Sequence, residues 1–75
     1  MEDDRATWPQ LLGRKVSVRY RLHDDPRHQF SEAIGVVMGI DTSERGEQIK
    51  IMTRRGEQVV VDAMDVVARK TFPTS

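Results

Sequence analysis

The feature that most constrains this 75-residue chain is an uninterrupted alternation of apolar and polar side chains over residues 15–22. The apolar members are Val16, Val18, Tyr20 and Leu22, and the polar members are Lys15, Ser17, Arg19 and Arg21. Successive side chains of a β-strand point to opposite faces of the sheet, so the alternation predicts a strand with one buried face and one exposed face. The β-branched residues on the apolar side favour the same structure.

Four further strands are predicted downstream, over residues 32–41, 47–54, 57–62 and 66–70. Two turns are indicated by a repeated pattern, in which Arg-Gly-Glu-Gln begins at Arg45 and again at Arg55. In each copy a glycine suited to a turn precedes an extended run. We therefore interpret the repeat as the same type of hairpin turn occurring twice.

The predicted second strand is apolar or small on both faces. Ile34, Val36, Met38 and Ile40 share one face, and Ala33, Gly35, Val37 and Gly39 share the other. We expect the larger side chains to face the core, and the two glycines to let the strand bend sharply, as strands do in small barrels. The predicted core is Val16, Val18, Ile34, Val36, Ile49, Ile51, Val59, Val61 and Val66.

Five short strands, a polar loop over residues 23–31 and a one-turn 3₁₀ connection over 62–65 together predict the fold class. It is all-β, a five-stranded SH3-like small barrel with a 3₁₀ turn before the last strand. Full closure of the barrel would leave no exposed sheet edge. We assign residues 1–12 to an N-terminal arm that is disordered over 1–6 and can form a helical turn over 7–12, residues 13–72 to the barrel, and residues 73–75 to a C-terminal tail.

Composition restricts the cellular compartment and the classes of partner expected for such a domain. The chain has no cysteine, as is typical of a reducing cytosol, which excludes disulfides and thiolate metal sites and predicts a cytoplasmic location. The acidic start, residues 1–4, lacks the apolar segment of a secretory signal, and no apolar run approaches the roughly 18 residues of a membrane span. Lys plus Arg and Asp plus Glu are 12 each, and this neutral balance argues against nucleic acid as a partner.

Candidate chemical groups are few. His23, Asp24, Asp25 and His28 are metal-ligating types in one short segment, but polar loops commonly have this composition. Adding Ser31 does not make a catalytic triad, because one loop supplies neither an oxyanion hole nor a substrate cleft. No glycine lies between a predicted strand and a predicted helix, as a phosphate-binding loop requires. We expect no catalytic residue, no cofactor and no metal.

The four aromatic residues are too dispersed for an aromatic cage or a proline-peptide groove. Trp8 is expected to cover the open end of its own barrel. Outward-facing cations offer a stronger hypothesis, because an acidic partner could dock on them, although a merely solvated face is the alternative. The hypothetical partner-binding residues are Lys15, Arg19, Arg21, Lys50 and Arg54.

Three segments carry a resemblance to a known family. They are residues 13–22 (GRKVSVRYRL), 31–37 (SEAIGVV) and 62–70 (DAMDVVARK). Together they resemble the N-terminal SH3-like domain of actinobacterial GNAT-family acetyltransferases, often labelled candidate histone acetyltransferases. The resemblance covers about residues 8–73. In that family the barrel precedes a separate catalytic domain that binds acetyl-coenzyme A.

The resemblance implies a non-catalytic accessory or interaction domain whose partner is an acetyltransferase catalytic domain, in cis or in trans. The outward cations would also suit an acidic protein as the partner. The acetyl-coenzyme A loop, Arg/Gln-x-x-Gly-x-Gly/Ala, has no counterpart here, because the spacing around Gly46 and Gly56 is wrong, so no catalytic residue carries over. On this reading the chain is either an excised domain or a stand-alone relative.

Two alternatives remain open. Residues 16–18 and 35–40 also resemble the KOW-type barrel, which contacts RNA and belongs to ribosomal and transcription factors, although the acidic turns argue against that function. The other alternative is a purely structural domain.

Overall fold

Five antiparallel strands make up the fold. The computed structural model describes residues 7–73, in which the strands are β1 (Lys15–Arg21), β2 (Phe30–Ser43), β3 (Gly46–Thr53), β4 (Gln58–Asp62) and β5 (Val66–Thr71). One 3₁₀ helix, η1 (Trp8–Leu11), precedes β1, and a second, η2 (Ala63–Asp65), precedes β5. The predicted all-β class and the 3₁₀ turn before the last strand are therefore confirmed. The predictions for residues 1–6 and 74–75 lie outside the described residues.

The order of strands in the sheet is β4-β3-β2-β1-β5. Three-residue η2 turns the chain from β4 to β5, which pairs with the far side of β1. Within residues 7–73 the hydrogen-bonded ladder ends at β4 on one side and at β5 on the other, so the expected full closure is not made by backbone pairing. As a consequence β1, β2 and β3 each pair with a strand on both sides, and β2 does so in two overlapping stretches, with β1 over residues 30–36 and with β3 over residues 35–43.

The alternation in β1 was interpreted correctly. Val16 and Val18 are fully buried, whereas Lys15, Arg19 and Arg21 are exposed on the opposite face. Antiparallel pairing with β2 and β5 on either side fixes this orientation, because a shift of one residue would turn every side chain to the other face.

The orientation predicted for β2 is wrong in its first half. Ala33 and Val37 are buried, while Ile34 is 45% exposed and Met38 is 59% exposed. The backbone of β3 crosses so closely that a Cβ atom on Gly35 would lie 2.1 Å from the Met52 carbonyl oxygen. Since the space there admits no side chain, the face with the small residues turns inward and the larger side chains turn outward.

A β-bulge then changes the phase of β2. Val37 pairs with Ile51 and Gly39 pairs with Lys50, so Met38 is an extra residue on the β2 side of the ladder. Beyond the bulge Ile40 packs against the core, although Ile34 and Val36 before it do not belong to the buried cluster. Bulges increase local twist and bend a strand, which agrees with the sharp bend predicted from Gly35 and Gly39.

One cluster of buried apolar side chains holds the strands together. Val16, Val18, Ile49, Ile51 and Val61 were predicted members, and Val59 and Val66 pack against the cluster while partly exposed. Leu11 was not predicted, yet it is among the most buried residues. It comes from η1, where Thr7 N–H donates to Gln10 Oε1 (3.0 Å) at the start of the turn. Of the helices in residues 7–73, none is long and apolar enough to cross a bilayer.

Glycine sets the two hairpin turns as predicted from the Arg-Gly-Glu-Gln repeat. Gly46 has φ 106° and Gly56 has φ 84°, a region that side chains disfavour. The first turn leads into β3 and the second into β4, which places Arg54 and Arg55 at the exposed tip between them.

Candidate functional site

The exposed face of the sheet is built on the outward side chains of β1. Lys15, Arg19 and Arg21 project from it at every second position, as their sequence spacing predicted, apart from the gap at Ser17. On the neighbouring strand their paired residues are Val36, Glu32 and Phe30, respectively. Paired residues of antiparallel strands share a face, so this row of cations lies directly beside an outward row from β2.

Two of these cations are held by aromatic rings. Lys15 Nζ lies 5.1 Å from the centroid of the Phe72 ring, and Arg19 Cζ lies 5.0 Å from the centroid of the Phe30 ring. Cation–π contacts at exposed sites contribute about 0.5–1 kcal/mol, enough to bias the orientation of a side chain without fixing it. The rings therefore orient two charged groups on the solvent side of the sheet.

The two predicted cations outside β1, Lys50 and Arg54, have different surroundings. Lys50 Nζ lies 2.7 Å from Asp41 Oδ2, so an acid on β2 already neutralises it. Arg54 lies exposed at the end of β3 and borders the same surface groove as Lys15. The structure thus brings Lys15 and Arg54 to one groove, places Arg19 and Arg21 farther along β1, and gives Lys50 an ion-pair partner.

That groove is the feature that sequence reasoning missed. It has a volume of about 640 Å³ and runs over the outer face of β2 between β1 and β3. Its apolar lining is Ile34, Val36, Met38 and Met52, and Lys15 and Arg54 stand beside it. Two of these residues were assigned to the core by prediction, because a strand with two apolar faces does not reveal which is buried. The small residues Ala33 and Gly35 on the other face were the available signal.

The polar loop between β1 and β2 uses its histidines in separate pairs. His23 Nε2 lies 2.8 Å from Asp65 Oδ1 of η2, and His28 Nδ1 lies 3.1 Å from Asp25 Oδ2. Hydrogen bonds from the Arg27 backbone N–H and then from His28 hold the pKa of Asp25 below its ordinary value. In residues 7–73 no three metal-ligating side chains converge, and the loop contacts serve to tie it to η2 and to itself.

Trp8 of η1 contacts the core from the first 3₁₀ helix. It is half-buried and packs against the apolar cluster, and the Arg69 guanidinium lies 4.8 Å from the centroid of its ring. A surface depression of about 440 Å³ borders it, lined also by Glu47 and by residues of η2 and β5. Trp8 therefore packs on its own domain, and its expected role in covering the open end of the barrel stays a prediction.

Comparison with known families identifies the domain. Residues 10–70 match the model of the family described as the Rv0428c N-terminal Sm-like domain. The chain belongs to this family. The Sm-like domain is a small β-barrel, so the family agrees with the fold class predicted from the sequence. The matched residues include all five strands of this Sm-like domain except the last residue of β5. Neither a curated protein nor a solved structure is significantly similar to the chain.

Proposed function

We propose that this Sm-like domain is a non-catalytic interaction domain that docks on a GNAT-type N-acetyltransferase. The observation that carries the proposal is the exposed row formed by Lys15, Arg19 and Arg21 on one strand, with two of its charges oriented by aromatic rings. Membership of a family of small barrels supports the interaction role. The acetyltransferase partner is supported by the resemblance of three segments to the accessory domain of such enzymes.

The chemistry expected of the row is recognition of carboxylates. A guanidinium presents several N–H donors in a planar fork and can bind a carboxylate through two parallel hydrogen bonds. Arg19 and Arg21 are two residues apart on the same face, so they can bind neighbouring acids on one partner surface. Groups of this kind raise the association rate and determine which partner is accepted.

The test is titration of the domain with the GNAT catalytic domain encoded in the same or an adjacent reading frame, by calorimetry. The variant Arg19→Gln/Arg21→Gln should weaken association by about tenfold, because two charge-assisted contacts are removed. Glutamine is preferable to glutamate, since Glu32 is paired directly with Arg19 and a second acid there would disturb the strand pair. Stability should change by no more than about 1 kcal/mol.

Arg27→Gln/Arg55→Gln is the matched control, because it removes the same charge from exposed positions in a loop and a turn. The proposal fails if parent and control show no association, or if the two double variants bind equally well. RNA is the competing partner that the KOW-like pattern suggests, and its binding would fall steeply with added salt, with a slope of about one unit for each phosphate contact. Strong RNA binding without enzyme association would overturn the proposal in favour of that alternative.

A further inference from the structure

The outer face of β2 carries a row of exposed apolar side chains, although the domain contains few apolar residues. Ile34 and Met38 are 45% and 59% exposed, and Val36 and Met52 continue the surface between and beside them. Only 37% of the residues are hydrophobic. A contiguous exposed apolar patch beside charged residues is typical of an interaction site. Two of its four apolar members are methionines, whose flexible side chains adapt to the shape of a partner.

We infer that this groove binds an acidic amphipathic helix of a partner protein. The inference deepens the proposed function and rests on it for the existence of a protein partner. To the proposed function it adds where the partner binds and which secondary structure the bound segment of the partner has.

Backbone pairing indicates why the segment is helical. In the middle of the groove lining, Gly35 and Val36 of β2 are paired with β1 on one side and with β3 on the other. An extended peptide binds a sheet by adding a strand to a free edge, and these two residues offer none. A partner segment must therefore satisfy its own backbone hydrogen bonds, which a helix does.

The length of the exposed apolar row on β2 matches that of an apolar stripe on a short helix. Ile34, Val36 and Met38 lie along one strand, and four steps of about 3.3 Å give at most roughly 13 Å, since the bulge at Met38 shortens the path. Apolar side chains at positions i, i+4 and i+7 of a helix span about 10 Å along its axis. One apolar stripe of about two turns would cover the row.

Charge determines which helix fits. Lys15 stands on the β1 side of the groove and Arg54 on the β3 side, and of the described residues that line the groove none is acidic. The Phe72 ring biases the orientation of the Lys15 ammonium group, so this cation favours one position before binding. Carboxylates on both flanks of an apolar stripe would complement the two cations.

The test uses a synthetic helical peptide of about 18 residues with leucines at i, i+4 and i+7, flanked by glutamates, and the same peptide with lysines replacing the glutamates. Titration of the ¹⁵N-labelled domain should shift the amide signals of residues 34–38 and 52–54 with the acidic peptide and leave them unmoved with the basic one. The variant Ile34→Ser/Met38→Ser should weaken acidic-peptide binding at least about tenfold. Lys15→Gln/Arg54→Gln should weaken it and flatten its salt dependence.

Met64→Ser/Val67→Ser is the matched control, since Met64 and Val67 are 63% and 46% exposed and do not line the groove. It should bind like the parent. The inference is overturned if neither peptide binds, if the basic peptide binds as tightly, or if groove and control variants behave alike. It is also overturned if the domain self-associates in sedimentation experiments and only the groove variant abolishes this, because the occupant is then a second copy. The peptide assay involves no acetyltransferase, so its failure is distinct from failure of the proposed function.

Discussion

Replacing Gly35 with alanine should destabilise the domain by at least about 1–3 kcal/mol, the usual cost of forcing extra volume into a packed interior. The added Cβ would lie 2.1 Å from the Met52 carbonyl oxygen and 2.7 Å from its carbonyl carbon. These are backbone atoms of a paired strand, so they cannot move aside as the end of a flexible side chain could. For a domain of this size each kcal/mol lowers Tm by about 4–8 °C. Thermal unfolding followed by circular dichroism measures the effect.

Gly39→Ala is the matched control on the same strand. A Cβ there would meet Lys50 Cδ at 3.7 Å, an ordinary contact with a flexible side chain. Stability should therefore change by less than about 1 kcal/mol. Equal melting curves for the two variants would show that β2 and β3 do not approach each other closely at Gly35.

Ile51→Ala should cost about 2–5 kcal/mol, because it removes a fully buried side chain and leaves a cavity. Domains of this length rarely have more than about 3–5 kcal/mol of net stability, so much of the variant should be unfolded at 25 °C. Ile34→Ala removes the same atoms from a side chain that is almost half exposed, and its effect should be well under half as large. Urea unfolding of both variants, with Val18→Ala as a second core substitution, compares them directly.

This comparison tests the orientation of β2. If Ile34→Ala were as costly as Ile51→Ala, the interpretation made from the sequence alone would be right and the orientation in the structure would be wrong. The groove would then lose its apolar lining, and the further inference would fail with it.

The fold was predictable where one face of a strand is polar. In β1 the alternation identifies the buried side without ambiguity, and in β3 and β4 the residues Ile49, Ile51 and Val61 lie inward as expected. In β2 both faces are apolar or small, and hydrophobicity alone favours the larger side chains for the core. The deciding factor is the distance between two backbones at Gly35, a tertiary property that periodicity does not contain.

The candidate site was predictable only in part, for the same reason. The cations of β1 follow from alternation, so Lys15, Arg19 and Arg21 were identified as one exposed row. Pairing of Lys50 with Asp41 depends on the register of two strands and on the bulge between them. The burial of Leu11 likewise depends on where η1 packs, and a four-residue 3₁₀ helix is too short for a periodic pattern to predict which of its residues face inward.

The bulge at Met38 makes this residue a one-residue insertion in an otherwise regular strand. If Met38 is skipped, the inward positions run Ala33, Gly35, Val37 and Ile40 in strict alternation, with the ladder to β3 unbroken. Met38 thus contributes no side chain to the buried cluster, and the alternation of the inward residues does not depend on it. Its side chain is instead the most exposed of the apolar groups that line the groove. Substitutions of the Met38 side chain therefore change the shape and polarity of the outer surface without removing a side chain from the core.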